Sequence, residues 1–171
     1  GLPVYAECGG LMYLARTLRW KDQAYNMVGA IPADVVMHTR PVGRGYVELQ
    51  ATGDAPWSAA ADPAHLTVRG HEFHYSSLEN MAPDLKFAYR VLRGHGVDGQ
   101  RDGIVHRNVV ASYAHLRNAA GSGWAEAFAA FVRARKVSQK QSTAAAAATT
   151  PRTVQVNGHP VATDVEGYLK N

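Results

Sequence analysis

The heptapeptide Tyr5-Ala6-Glu7-Cys8-Gly9-Gly10-Leu11 determines how the rest of this chain must be arranged. It closes a β-rich segment that begins at Leu2, and behind it leucine and alanine residues recur at helical spacing as far as Leu18. The pattern predicts a strand, a tight turn and a helix, with Cys8 at the apex. A residue at such an apex has a strained backbone and a side chain that stands clear of the sheet, so its neighbours must be small. The alanine and glycines of the heptapeptide meet that requirement.

Cys8 is the chemically distinctive residue of this turn. The start of the following helix is expected to lower its thiol pKa, and the amide of Gly9 is expected to point to where an oxyanion would form. This combination predicts nucleophilic attack on an acyl carbon. The alternative is that Cys8, the single cysteine of the chain, is a small buried hydrophobic residue. The flanking Gly9 and Gly10 favour the nucleophile.

Composition limits the remaining possibilities. The 171 residues are 46% hydrophobic and 19% charged, which allows one domain with a core and argues against wholesale disorder. No apolar run is long enough to predict a membrane span. A single cysteine excludes an internal disulfide and suits a reducing cytoplasm. The net charge of +4 is spread along the chain, so an acidic small molecule fits at least as well as a nucleic acid.

Hydrophobic patterning outlines a mixed α/β domain over residues 1–136. Further strands are predicted over 27–31, 45–51, 66–69, 87–92, 103–105 and 109–113. A helix is predicted over Gly123 to Lys136, with Ser122 as its N-cap. Its apolar face comprises Trp124, Ala127, Phe128, Phe131 and Val132. Because strands outnumber helices, we expect a mixed sheet with helices on its faces.

The chain changes character after residue 136. Residues 137–153 are small and polar and include five consecutive alanines, so they are predicted to form a flexible linker. A run of five alanines is too short to hold a helix by itself. From residue 154 the pattern turns apolar again, and Asn157-Gly158 is typical of a two-residue hairpin turn. Residues 154–171 are therefore predicted to contain a short β-hairpin.

A cysteine nucleophile needs a base, and the eight histidines offer two places for one. The first is Gly70-His71-Glu72-Phe73-His74-Tyr75-Ser76, in which two histidines and a glutamate are candidates for one shared site. The second is Ala111-Ser112-Tyr113-Ala114-His115, where a histidine ends a strand at the edge typical of an α/β active site. The residues alone leave both places open. A metal site formed by His71, Glu72 and His74 is disfavoured, because no fourth ligand is in view.

Four segments, taken in order, resemble the cobyrinic acid a,c-diamide synthase family. They are Gly1–Leu14, Arg40-Pro41-Val42-Gly43-Arg44-Gly45-Tyr46-Val47-Glu48, Gly70–Ser76 and Ala111–His115. The resemblance covers residues 1–135. It implies a class I glutamine amidotransferase domain: an α/β fold with a mixed sheet, flanking helices and a cysteine at the elbow.

The resemblance also implies roles for individual residues. Cys8 would be the nucleophile, His115 the base, and Gly9 with Gly10 the elbow and oxyanion residues. This branch uses a Cys-His pair and lacks the glutamate that completes the triad in related amidotransferases. Arg117 stands two positions after His115, which agrees with a pair. The motif containing His71, Glu72 and His74 is expected to shape the site and its interface with an acceptor domain.

The implied activity is glutamine hydrolysis that supplies ammonia for amidating a tetrapyrrole polycarboxylate in cobalamin biosynthesis. ATP and Mg²⁺ would act in a separate synthetase domain, and no cofactor or metal is expected on this chain. No Gly-x-x-x-x-Gly-Lys-Ser/Thr run occurs in the 171 residues. The chain is therefore expected to be the C-terminal portion of a larger enzyme, incomplete at its N-terminus and inactive by itself.

A second resemblance concerns the end of the chain. Val154–Gly158 and Thr163–Asn171 are similar to the opening of the DsrC/TusE family of sulfur carriers, which are associated with dissimilatory sulfite reductase. This implies sulfite-reductase-associated partners and raises sirohaem as an alternative acceptor. A non-catalytic interaction module is a third alternative. The sequence leaves the acceptor (cobyrinate, hydrogenobyrinate or sirohaem) and the oligomeric state open, and it predicts a cytoplasmic protein with no nucleic-acid or membrane partner.

Overall fold

The structure is a computed structural model that describes residues 1–58, 67–117, 123–149, 153–156 and 159–162. It divides into two compact units, Gly1–Phe131 and Val132–Asn171. The elements of the described ranges are, in chain order, β1 Val4–Glu7, α1 Gly9–Leu14, β2 Thr17–Trp20, β3 Gln23–Asn26, β4 Asp34–Met37, β5 Gly43–Ala51, β6 Thr67–His74, β7 Ser76–Glu79, β8 Lys86–Arg93, β9 Arg101–His106, β10 Val109–Ser112, β11 His115–Leu116, α2 Trp124–Thr149, β12 Thr153–Val156 and β13 His159–Ala162.

Two sheets build the first unit. The larger one has seven strands in the order β1-β10-β9-β8-β5-β6-β11. Within it β1 pairs in parallel with β10, and the other neighbouring pairs are antiparallel. The smaller sheet has the order β3-β2-β4-β7, with β2 and β4 parallel. The mixed α/β fold predicted from the sequence is confirmed.

Side chains on opposite faces of the larger sheet pack into two different hydrophobic cores, because successive residues of a strand point in opposite directions. On β1, Ala6 belongs to a first core with α1 and the smaller sheet. Its neighbour Tyr5 packs against a second core, where it meets Trp124 and Phe128 of α2. The elbow between β1 and α1 is therefore supported from both faces of the sheet.

Strands β5, β6, β8, β9 and β10 lie where the sequence predicts them, with shifted ends. The strand predicted over 27–31 is wrong. The amides of residues 27, 28, 29 and 31 instead donate to carbonyls of residues 13–16, around the end of α1. Helix ends leave carbonyls without partners, and this segment satisfies them. Gly29 has φ +74°, which takes its backbone out of the extended region.

The smaller sheet is absent from the sequence-based prediction. Its strands are four residues each, and β3 is exposed along its whole length, so it carries no alternation of apolar and polar residues. The β2–β3 hairpin turns at Lys21, with φ 55°, rather than at a glycine. Neither signal that identifies a hairpin in sequence is therefore present.

The linker predicted over 137–153 is also a departure, since α2 continues to Thr149. The alanines extend a helix that begins at Trp124, so they add hydrogen bonds without a new nucleation cost. The hairpin prediction agrees with the antiparallel pairing of β12 and β13. Its turn residues, Asn157 and Gly158, and the proposed N-cap Ser122 lie outside the described residues. The domain boundary at residue 136 stays a prediction.

Candidate active site

The turn between β1 and α1 has the geometry of a strained elbow. Cys8 has φ 47° and ψ −103°, a conformation that residues other than glycine rarely adopt. Its amide donates to the Ser112 carbonyl at 2.7 Å, which ties the turn to the end of β10. A Cβ on Gly10 would lie 3.2 Å from the Cβ of Ala6. Small residues at both positions allow α1 to start this close to β1.

The Cys8 thiol is half-buried, and its acidity differs from the sequence-based expectation. Burial raises the pKa of Cys8, a backbone hydrogen bond at Gly9 works to lower it, and the Glu7 charge raises it further. Helix α1 has six residues, so little helix dipole is available to offset the burial. The predicted lowering of the thiol pKa is therefore wrong. Cys8 is a thiol at neutral pH and needs a base to become a nucleophile.

His115 lies beside the elbow on β11. Its Nδ1 is 3.3 Å from Oε2 of Glu7, the residue that precedes Cys8. Its ring stacks on the His71 ring, with centroids 4.9 Å apart and planes 14° from parallel. The Cys8 Sγ in turn donates a long contact of 4.0 Å to the Phe73 carbonyl on β6. Contacts therefore link His115 to the residue before Cys8, and link the Cys8 sulfur to β6, the strand that carries His71.

The Gly70–Ser76 motif does not act as one cluster. Along β6, His71 and Phe73 are exposed, and Glu72 and His74 are buried on the opposite face. Neighbours in a strand point to opposite sides, so His71 cannot share a site with Glu72 and His74. The sequence-based candidate of a shared site is wrong for this reason. Among the residues that the structure describes, no group of three or more His, Cys, Asp or Glu side chains is placed to hold a metal ion.

The buried residues of the motif, Glu72 and His74, contact the segments that follow β8 and β10. Glu72 accepts the amide of His95 at 2.7 Å and that of Gly96 at 2.8 Å. Burial works to raise the pKa of Glu72, but the His74 ring and these two amides outweigh it and hold the pKa below its ordinary value. The His74 ring also stacks on Tyr113, with centroids 3.8 Å apart.

Gly70 permits the close pairing that brings β11 onto β6. Leu116 is opposite Gly70, and a Cβ on Gly70 would lie 2.3 Å from the carbonyl oxygen of His115. That separation is far below any real contact of a Cβ atom. Any side chain at this position would push away the strand that carries His115. This close approach explains why the first residue of the motif is a glycine.

Asp102 is a supporting residue that sequence reasoning missed. Its carboxylate is fully buried and accepts the amides of Gly103, Tyr113 and Ala114 at 2.8, 3.0 and 3.0 Å. Burial raises the pKa of Asp102 to about 6, against these three hydrogen bonds, which lower it. The last two amides belong to the short connection between β10 and β11. An acidic residue beside the apolar run of β9 was the available signal.

The chain matches the model of the CobB/CobQ-like glutamine amidotransferase domain over residues 1–123. A cobyrinate a,c-diamide synthase of Magnetococcus marinus is 43% identical over 135 residues, which cover 79% of this chain and 28% of that protein. The same enzyme of Halobacterium salinarum is 45% identical over 117 residues, covering 68% of this chain and 25% of that protein. The chain thus spans about a quarter of the length of these relatives.

A solved structure gives an independent comparison of the fold. A protein of Thermoplasma acidophilum, described as a putative GMP synthase subunit, superposes with a TM-score of 0.54 at 16% identity. The match covers 81% of this chain and 61% of that one. At this identity the likeness concerns the fold alone. None of the described helices combines the length and the apolar character of a membrane span.

Proposed function

The chain belongs to the CobB/CobQ-like glutamine amidotransferase domain family, and from this premise we propose that it hydrolyses glutamine for a cobyrinate a,c-diamide synthase. The ammonia released would amidate side-chain carboxylates of the corrin ring in cobalamin biosynthesis. The observation that supports the proposal is the strained turn at Cys8, together with the contact of His115 with Glu7, the residue before it.

The chemistry follows from two side chains and one amide. His115 takes the proton of the Cys8 thiol while Sγ attacks the side-chain amide carbon of glutamine, forming an S–C bond. The amide of Gly9 would stabilise the oxyanion of the tetrahedral intermediate. His115 returns the proton to the nitrogen, the C–N bond breaks, and ammonia leaves. Water then attacks the thioester, which releases glutamate and restores the thiol.

The relatives are about four times as long as the segment that matches this chain. We therefore propose that a separate synthetase part of the intact enzyme carries out the rest of the reaction. There ATP and Mg²⁺ would activate a carboxylate of the tetrapyrrole, and we derive no step of this chain through them. The names of the relatives favour cobyrinate as acceptor over sirohaem and over a non-catalytic interaction module. The single thiol agrees with a cytoplasmic location. The resemblance of residues 154–171 to sulfur carriers stays a prediction.

Cys8→Ser in the intact protein tests the proposal. The variant should lose glutamine-dependent amidation of cobyrinate but keep amidation driven by free ammonia, because the second step does not use the thiol. An electrophilic glutamine analogue should label Cys8 in the wild type and leave the variant unlabelled at that position. His115→Ala should lower the glutaminase rate by about 10²- to 10⁴-fold. Full glutamine-dependent activity in Cys8→Ser would contradict the assignment.

A further inference from the structure

The Glu7 carboxylate is fixed at both of its oxygens. Oε1 accepts the Leu116 amide at 2.9 Å and the Tyr5 hydroxyl at 2.8 Å. Oε2 lies 3.3 Å from Nδ1 of His115. Each of these partners points at a definite carboxylate oxygen. The side chain therefore holds one orientation, with Oε2 presented to the histidine.

These contacts join the two edges of the larger sheet. Strand β1 stands at one end of the strand order and β11 at the other. The Glu7 side chain nevertheless reaches both the main chain and the side chain of β11. Its position on β1, next to Cys8, couples the place of the nucleophile to the place of His115.

The contact also fixes the tautomer of His115. A carboxylate accepts hydrogen bonds and donates none, so Nδ1 must carry the hydrogen that points at Glu7. In the neutral ring Nε2 then holds the lone pair. That is the nitrogen that remains to take a proton from a thiol. The stacked His71 ring lies against the face of His115 and does not compete for Nδ1 in the plane of the ring.

We infer that Glu7 is the positioning residue of His115 and supplies the third, acidic member of the site. The family resemblance implies that related amidotransferases carry their acidic residue two positions after the histidine, and this chain has Arg117 at that position. Here the acid comes from the residue before the nucleophile. Glu7 would hold the ring in place and, when the ring takes the thiol proton, stabilise its charge. The inference rests on the proposed glutaminase function.

Glu7→Gln is the discriminating variant, because the local hydrogen bonds dictate which way the amide must face. The Leu116 N–H needs an acceptor at 2.9 Å, so the Gln oxygen takes the place of Oε1. The NH₂ group then faces His115, whose Nδ1 has to accept and whose Nε2 has to carry the hydrogen. We expect kcat for glutamine hydrolysis to fall about 10²- to 10⁴-fold, with KM within about twofold.

Glu48→Gln is the matched control in the intact protein. Glu48 lies on β5 of the same sheet and pairs with the exposed Arg69 at 3.0 Å. It should leave kcat unchanged. A Glu7→Gln enzyme with wild-type kcat overturns the inference, as does an equal loss of rate in the control.

Nitrogen-15 NMR of histidine-labelled protein gives a readout that does not depend on activity. The His115 signals, assigned by their loss in His115→Asn, should report hydrogen on Nδ1 in the wild type and on Nε2 in Glu7→Gln. Hydrogen on Nε2 in the neutral wild-type ring overturns the inference, even if the variant fails to fold. If the wild type shows the expected tautomer but does not hydrolyse glutamine, the proposed function fails while the role of Glu7 in fixing the ring stands.

Discussion

Cys8 combines a strained backbone with a raised thiol pKa. Its φ of 47° holds the side chain at the apex of the turn, and burial keeps the thiol protonated. Placement of the sulfur and removal of its proton therefore depend on different parts of the site. The turn presents the sulfur, and a neighbouring base has to ionise it.

The raised pKa predicts how Cys8 reacts with iodoacetamide in the absence of glutamine. Its ordinary pKa is 9.0 and the folded value is higher, so the thiolate fraction should still be rising throughout the neutral range. The alkylation rate should increase about tenfold per pH unit between about pH 6.5 and 8.5. Mass spectrometry of the Cys8 peptide measures this rate. A plateau at or below pH 7 would instead show a thiolate already formed in the resting site.

At the element scale, β6 serves two sides of the molecule. Its exposed residues His71 and Phe73 face the candidate site, and its buried residues Glu72 and His74 fasten the core. Gly70, on the same strand, allows β11 to approach. One strand therefore positions His115 through its backbone rather than through a catalytic side chain.

Gly70→Ala should displace β11, because its Cβ would overlap the His115 carbonyl oxygen at 2.3 Å. A shift of the base by about 1 Å can cost about 100-fold in rate, so we expect at least a tenfold loss of glutaminase activity. Hydrogen exchange of the amides in the β6–β11 pair should accelerate. Thr67→Ala, at the exposed start of β6, is the control and should change neither property. Unaltered exchange and activity in Gly70→Ala would contradict the close pairing.

At the scale of the whole molecule, the first unit contains both hydrophobic cores. Every residue of the two clusters lies within Gly1–Phe131. The start of α2 is part of this unit, since Trp124 and Phe128 pack against Tyr5, which in turn donates to Glu7. Among the residues whose side chains the structure describes, none after Phe131 belongs to either cluster.

Removal of residues 137–171 should therefore be tolerated. We expect the glutaminase rate to stay within about twofold and the thermal midpoint within about 4 °C, because the deletion leaves every side chain of the two described clusters in place. Removal of residues 124–171 is the contrasting variant. It takes Trp124 and Phe128 from the second core and should abolish cooperative unfolding by circular dichroism. A shorter deletion that is as damaging as the longer one would show that the folding unit extends past residue 136.

The elbow, the class of fold and most strands of the larger sheet could be predicted from the order of the amino acids. These features are local: small residues must flank a strained cysteine, and a strand with buried faces must be apolar. The smaller sheet was not predicted, because its short strands bury too few side chains to produce an alternation of apolar and polar residues. The helix over residues 137–149 was not predicted, because a helix that begins earlier in the chain can continue through residues that could not nucleate one.

The partners of the candidate base could be identified only in the folded chain. Glu7 and His115 are 108 residues apart, and they meet because the edges of a seven-stranded sheet come together there. Asp102 secures the connection to β11 in the same way, through amides 11 and 12 residues further along. Side-chain direction and sheet closure depend on every strand between the two ends. No local pattern encodes them, so the sequence predicts the candidate nucleophile but not the carboxylate that lies beside the candidate base.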